Sequence, residues 1–475
     1  MNNVSRSPLG PILLIAGWFA NALLLEALRA GDLSETVALA RQYLQTPDVQ
    51  QRRSMAKQLA ARDADWQKIL HSLRPQPEDK MGPGYYGAEH FIVPDLRKKH
   101  ADDLLYFIVP KAYRPGPPSG LVVFMHGGGK GSPRTAPARY MRPGNATETY
   151  IGDLFEQTGL IGVAPSAPWN ENDHSRWTLA ESDDYIADVV LECKARFRID
   201  PDRVFLWGHS MGGFGAYHQV QRQPDRFAAV IASAGSWTLA QWPAIRGSTF
   251  CIVHGTRDAE RCVRDRHTDI AYAHWADKLL SSKEIPHVYL EHDGPHPVRF
   301  SKPYVIEFLR RHADLRRDPY APHIVLASPV GYTSKKCFPV RHNRWLTLEA
   351  ATDGPLAYEA LEPNGIGASK DSTPDQWNRW QLKHKTIERT GAMIEAINRG
   401  ENRLEITTRN VARFTVWLHP RMVDFSRPVH ISVNGQPCFG GRVSPSLGVA
   451  LDSYQRRRDW NLVYPARITL DVLAH

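Results

Sequence analysis

The pentapeptide Gly208-His209-Ser210-Met211-Gly212 has the spacing G-x-S-x-G. It follows Arg203 to Trp207, an apolar run of strand formers, and it precedes residues of helical character. A serine at such a strand-to-helix corner stands exposed at the end of a sheet, and glycines let the corner close. Its hydroxyl can attack a carbonyl carbon only if other groups help. Acyl transfer at serine needs a general base, because a free hydroxyl is a poor nucleophile at neutral pH. It also needs a carboxylate that holds the base in one tautomer, and N–H donors for the oxyanion.

The chain offers each of these in the order Ser, Asp, His. Asp258 follows the apolar run Thr249 to His254, placing a carboxylate just past a strand end. Asp265 and Asp269 lie farther from that end. His296 sits in Glu291-His292-Asp293-Gly294-Pro295-His296-Pro297, after the strand expected over His287 to Leu290. His292 is its rival, nearer the strand, while the extra loop residues before His296 give it the reach a base requires. Met211, the residue after the nucleophile, supplies one candidate oxyanion N–H. Gly127 and Gly128, within His126-Gly127-Gly128-Gly129, supply the other. A phosphate-binding loop is excluded there, since neither G-K-[ST] nor an opening G-x-G-x-x-G follows.

Short buried strands alternate with helices from Leu104 to Leu309. Strands are expected at Leu104–Val109, Leu121–Met125, Leu160–Ala164, Arg203–Trp207, Phe227–Ala232, Thr249–His254 and His287–Leu290. Helices are expected from Ser182 towards Phe197, over Ile270–Leu280, and through Tyr304–Leu309. That alternation implies an α/β fold with a doubly wound, mostly parallel sheet covered on both faces. Before it, Asp32 to Leu73 has helical spacing, with a helix start expected at Thr46-Pro47-Asp48. Pro75 to Gly87 is a Pro/Gly-rich link. Beyond Pro322 the pattern turns to short β segments, with Asn434-Gly435 as a hairpin signal. The expected organisation is an N-terminal apolar segment (1–30), a helical appendage (31–75), the α/β catalytic domain (76–315) and a β-rich, sandwich-like accessory domain (320–475).

The 475 residues carry a net charge of +9, with 42% hydrophobic and 23% charged residues, as suits a globular chain with a sizeable core. No Lys/Arg block is long enough for a nucleic-acid arm. The five cysteines show no C-x-x-C spacing, so neither a zinc site nor a dense disulfide framework is expected, and no metal or other cofactor is required. From Ser7 to Leu25 there is no charged residue, and Arg6 precedes the run. This is the pattern of a signal peptide or anchor, and export or N-terminal anchoring is expected.

Residues 100–312 resemble the α/β-hydrolases of the serine-esterase type. Ile199-Asp200-Pro201-Asp202-Arg203-Val204, leading to Gly208-His209-Ser210-Met211-Gly212-Gly213, is similar to the secreted polyhydroxybutyrate depolymerase and feruloyl esterase group. His254-Gly255-Thr256-Arg257-Asp258 resembles prolyl oligopeptidase-like catalytic domains. The resemblance implies an α/β-hydrolase sheet, a triad of Ser210, Asp258 and His296, and an ester substrate, small or polymeric. Two departures stand out. The histidine loop reads Gly-Pro-His where Gly-Gly-His is common, and the β-rich region follows the catalytic domain instead of a propeller preceding it. The alternatives are a serine peptidase, and a glycan-binding protein on a hydrolase scaffold with polysaccharide contact through the β-rich region. Aromatic residues in Arg134 to Asn172, among them Tyr140, Tyr150 and Trp169, and the pair Trp237 and Trp242, are candidate pocket walls.

Overall fold

The computed structural model describes residues 33–62, 65–128, 134–145, 148–167, 176–258, 267–364 and 381–472. The apolar run 7–25, Gly129, Trp169, Cys262 and Asp265 lie outside them. The chain divides into two compact units, Met1–Arg74 with Ser444–Arg467, and Pro75–Val443 with Ile468–His475.

In the first unit, residues 33–45 are helical, followed by helices Val49–Ala60, Trp66–Leu73 and Leu447–Arg457. Ala40, Tyr43, Leu59, Ile69, Leu70, Leu447, Ala450 and Leu451 form its core. The helix expected to start at Thr46-Pro47 begins two residues later. Asp48 caps it, its carboxylate accepting the Gln51 N–H at 2.7 Å. Leu447–Arg457 is a helix where the sequence pattern suggested only β structure. Among the described residues, no helix is long and apolar enough to cross a membrane.

The second unit is built on an eight-stranded sheet. Its strands are β1 (Gly84–Glu89), β2 (Leu105–Val109), β3 (Ser119–Met125), β4 (Ile161–Pro165), β5 (Ile199–His209) and β6 (Ala229–Ser233). After the two-residue β7 (Leu239–Ala240), which pairs elsewhere, come β8 (Thr249–Gly255) and β9 (Val288–His292). The order is β1-β2-β4-β3-β5-β6-β8-β9. β2 runs antiparallel to both of its neighbours, β1 and β4, and all pairs from β4 to β9 are parallel. β1 begins in the segment the sequence marks as a link and ends two residues beyond it.

Alternation within the strands explains the layering. Leu121, Val123, Met125, Leu206, Ile252 and their neighbours face one core, with Tyr185, Val189, Ala216 and Tyr217 from helices Glu181–Arg196 and Met211–Arg222. Val122, Phe124, Phe205, Trp207 and Val253 face the other, with Leu154, Phe155, Val305 and Phe308 from helices Gly152–Thr158 and Val298–Arg311. The chain crosses from β3 to β4 on one side, then returns to β5 on the other. β3 and β5 therefore flank the switch point, where crevices open at the carboxyl ends of parallel strands.

Residues 320–443 add sheets that are antiparallel apart from one parallel pairing, of Arg403–Arg409 with Val429–Val433. One has five strands, His323–Ser328, Ala392–Gly400, Arg403–Arg409, Val429–Val433 and Gln436–Gly441. Another joins hairpin Pro355–Asn364/Gln381–Thr390 to β7, through Glu359 opposite Ala240 and Ala360 opposite Leu239.

Candidate active site

Strand β5 ends at His209, and helix Met211–Arg222 begins one residue later. Ser210 is the whole of the turn. Its φ is 59° and ψ −117°, a conformation that costs energy for a residue with a β-carbon. Two backbone hydrogen bonds hold it there, and Ser233 ties down the strand before it. The Ser210 N–H donates to the Ser233 carbonyl at 3.0 Å, and the Phe214 N–H donates to the Ser210 carbonyl at 3.0 Å. The Ser233 hydroxyl donates to the Gly208 carbonyl at 3.1 Å while accepting the Trp207 indole N–H at 3.0 Å. A methyl group on Gly208 would collide with the Gly212 carbonyl oxygen, so strand and helix can approach this closely only with glycine there.

His296 Nε2 lies 2.8 Å from Ser210 Oγ, and His296 Nδ1 lies 2.7 Å from Asp258 Oδ1. A carboxylate can only accept, so Nδ1 carries the proton and donates to Asp258. Nε2 is then the acceptor for the Ser210 hydroxyl. Asp258 is 1% exposed. Burial alone would raise its pKa; the hydrogen bond from His296, with the nearby His254 and His296 rings, outweighs that and holds the carboxyl below its ordinary range. The loops carrying the two residues are joined by backbone bonds, Thr256 N–H to His292 O at 2.9 Å and Arg257 N–H to Gly294 O at 3.2 Å.

His292 is turned away from this cluster. It is buried, its Nε2 lies 3.1 Å from Ser301 Oγ, and its ring stacks near Phe300 and Tyr304. Asp269 is likewise committed elsewhere, its side chain accepting the Ala271 N–H at 2.9 Å at a helix start.

The glycine loop runs beside the serine. A β-carbon on Gly127 would stand 3.2 Å from Ser210 Cβ and 2.9 Å from the Tyr140 hydroxyl, so only glycine fits without displacement. A β-carbon on Gly128 would lie 4.0 Å from Met211 Cβ. Met211 is the first residue of its helix, and its N–H has no carbonyl partner four residues back. A cavity of about 210 Å³ opens at Ser210, lined by Gly128, Arg139, Tyr140, Glu148, His296 and Val298 among others.

Two histidines here were not singled out by sequence reasoning. His126 is fully buried; its Nε2 accepts the Ala167 N–H at 3.3 Å, so Nδ1–H donates to the Gly127 carbonyl at 2.9 Å. Burial pushes its pKa down to about 4. It is a neutral strut for the glycine loop, and its only sequence signal was its place before three glycines. His209, buried beside His296, is held neutral in the same way, down to about 3. The expected pocket walls Trp237 and Trp242 are instead 0% exposed and pack edge to face at 4.8 Å. They are core residues, and Trp242 packs against Tyr217 of the helix that follows Ser210 and against Phe250 of β8. Tyr140 does line the cavity. One aromatic pair went unforeseen: Phe214, one helical turn after Ser210, stacks on Tyr332 of the β-rich region at 6.1 Å. The four cysteines within the described residues are free, and no group of metal-ligating side chains occurs among those residues.

Residues 164–260 match the prolyl oligopeptidase family, a segment holding Ser210 and Asp258. A bifunctional acetylxylan esterase/xylanase of Neocallimastix patriciarum is 27% identical over 114 residues, which is 24% of this chain and 16% of that protein. The chain thus spans less than a fifth of that relative's length. Among solved structures, a ferulic acid esterase of Anaeromyces mucronatus is similar over 50% of this chain and 94% of its own, at 14% identity and TM-score 0.36. A poly(3-hydroxybutyrate) depolymerase of Bordetella parapertussis is similar over 49% and 93%, at 16% identity and TM-score 0.35. With its mostly parallel sheet, its strained serine corner at the end of β5 and a segment that matches the prolyl oligopeptidase family across that corner, the second unit has the α/β-hydrolase fold.

Proposed function

We propose that the protein is a serine hydrolase that cleaves carboxylic esters through an acyl-enzyme on Ser210. The observation that carries this reading is the continuous chain from Ser210 Oγ through His296 to Asp258, at 2.8 and 2.7 Å, beginning on a strained serine. His296 takes the Ser210 proton as Oγ attacks the ester carbonyl, then returns it to the leaving alcohol. Asp258 fixes the tautomer and stabilises the imidazolium. The N–H groups of Met211 and of Gly128, which lines the cavity, hold the oxyanion, with Gly127 giving the loop its close approach. Water, activated by His296, then releases the acid. No metal or organic cofactor enters this sequence of steps.

Substitution Ser210→Ala should leave the fold intact and abolish turnover of p-nitrophenyl acetate along with labelling by a fluorophosphonate probe. Labelling that persists in Ser210→Ala would refute the assignment. The match to the prolyl oligopeptidase family favours a second reading, a serine peptidase; parallel turnover of p-nitrophenyl esters and peptide p-nitroanilides separates the two. We further infer export or membrane anchoring from the uncharged run 7–25. N-terminal sequencing of secreted and membrane fractions tests it. Residues 320–443 are proposed as an accessory region that buttresses the helix bearing Ser210.

A further inference from the structure

The first unit contains a cavity of about 580 Å³, within the range of small-molecule sites, and none of its lining residues belongs to the site around Ser210. It is a groove between helices Val49–Ala60 and Leu447–Arg457. Val49, Arg52, Arg53, Ala56, Lys57 and Ala60 recur on one face of the first helix, and Gly448, Val449, Asp452, Gln455 and Arg456 on one face of the second. The helices pass closely at one point, where a β-carbon on Gly448 would lie 2.8 Å from the Ala56 carbonyl oxygen. That contact makes a small-residue floor, and the rims are cationic.

Five cations line the groove, Arg52, Arg53, Lys57, Arg456 and Arg467, against a single carboxylate, Asp452. Asp452 is already engaged by Arg467 and by Arg456 at 3.7 Å. Arg52, Arg53 and Lys57 have no ion-pair partner among the described residues. Other cations of the same unit do, as in Arg62 with Glu35 at 3.7 Å and Lys68 with Asp65 at 3.8 Å. The buried Tyr43 also lines the groove, and its hydroxyl feels Asp452, Arg52, Arg467 and Arg456. Charges of several chain segments therefore converge on one point. Like charges gathered in a groove repel one another unless an anion offsets them.

We propose that this groove binds a phosphate-bearing ligand. Two neighbouring guanidinium groups, an ammonium and a phenolic hydroxyl offer more donors than one carboxylate accepts, whereas a phosphate presents three acceptor oxygens and up to two charges. The ligand is either a soluble phosphate ester or the head group of an anionic phospholipid. Exposed Val49 at the lip and the Ala56/Gly448 floor accommodate the carbon skeleton of both.

The test uses the full chain at low ionic strength, with glycerol 3-phosphate followed by calorimetry and phosphatidylglycerol or phosphatidylcholine vesicles followed by sedimentation. Saturable binding of glycerol 3-phosphate is expected. Arg53→Gln and Lys57→Gln, both at exposed positions, should each weaken it about ten-fold, the worth of one charge-assisted hydrogen bond. Thermal melting of these variants should match the wild type, which separates lost binding from lost folding. Phosphatidylglycerol vesicles that pellet the protein, and release it when glycerol 3-phosphate is added, identify the lipid as the source. Binding of the soluble ester alone identifies a phosphate metabolite. The proposal is overturned if neither probe binds up to about 5 mM, a free energy too small for a built site, or if the Arg53→Gln/Lys57→Gln double variant binds as the wild type does.

Discussion

Replacing Asp258 by Asn keeps the shape of the side chain and removes only its charge and its acceptor-only character. Asp258 is 1% exposed and 2.7 Å from His296 Nδ1, so water cannot substitute for the lost group. Two effects follow. With the charge centres roughly 4 Å apart at an effective dielectric constant of about 20, the carboxylate stabilises an imidazolium by about 4 kcal/mol, nearly a factor of 10³ in rate. The Asn amide also donates to Nδ1, moving the imidazole proton to Nε2, where it can no longer accept the Ser210 hydroxyl. Together these predict a fall in kcat for p-nitrophenyl acetate of about 10³- to 10⁴-fold, comparable to the loss seen when a triad carboxylate is neutralised. KM should change little, because Asp258 does not line the cavity. The assay is steady-state ester turnover at neutral pH, with the fluorophosphonate labelling rate as a second readout that should slow in parallel. If the Asp258→Asn variant kept kcat within about ten-fold of wild type, Asp258 would not be orienting the base, and the reading of the site would fail.

Other expectations follow from the same geometry. Gly127→Ala should lower kcat about 10²-fold, the cost of misplacing one oxyanion donor, since the added methyl displaces the loop from Tyr140 and Ser210; ester kinetics measure it. Arg222→Ala should destabilise the fold by about 3–5 kcal/mol, as for a broken buried ion pair, because it abandons Asp183 and the carbonyls of Val330 and Phe338; thermal unfolding reads this. His126 is neutral when folded, with its pKa near 4, whereas the unfolded chain protonates it below about 6.5. Its contribution is therefore complete above about pH 6.5 and is lost as pH falls towards 4, on the order of 3 kcal/mol. Denaturant titrations at about pH 7.5 and 4.5 should show that slope, and His126→Gln should flatten it.

The sheet was legible from sequence because its strands are short apolar runs whose burial on both faces leaves a clear pattern, Leu121 to Met125 and Thr249 to His254 among them. Ser210, Asp258 and His296 follow β5, β8 and β9, and parallel strands joined by helices place all three loops at one sheet edge, so chain order translates into proximity. His292 could not be separated from His296 by pattern, since the difference is the direction in which a Gly/Pro loop turns. β1 hid among prolines and glycines because half its residues face solvent. Trp237 and Trp242 misled because nothing in a local segment says whether an aromatic side chain turns inward. The pairing of β7 with Pro355–Asn364 and the helix Leu447–Arg457 depend on partners distant in sequence, which no window of neighbouring residues reports.

The anchorage of the serine-bearing helix has a consequence for how the protein is made. Arg222, at the carboxyl end of that helix, donates to the Val330, Phe338 and Pro339 carbonyls, which lie 108 to 117 residues further along the chain. Asp225 likewise waits for the Arg344 N–H, 119 residues on. At a synthesis rate of about 5–20 residues per second, the helix is made roughly 5–24 s before its clamps exist. The nascent sheet must pass that interval with Arg222 held by Asp183 while its carbonyl partners are still missing. A chain released from the ribosome at residue 320 should therefore be more open to protease around Arg222 than one released at residue 360.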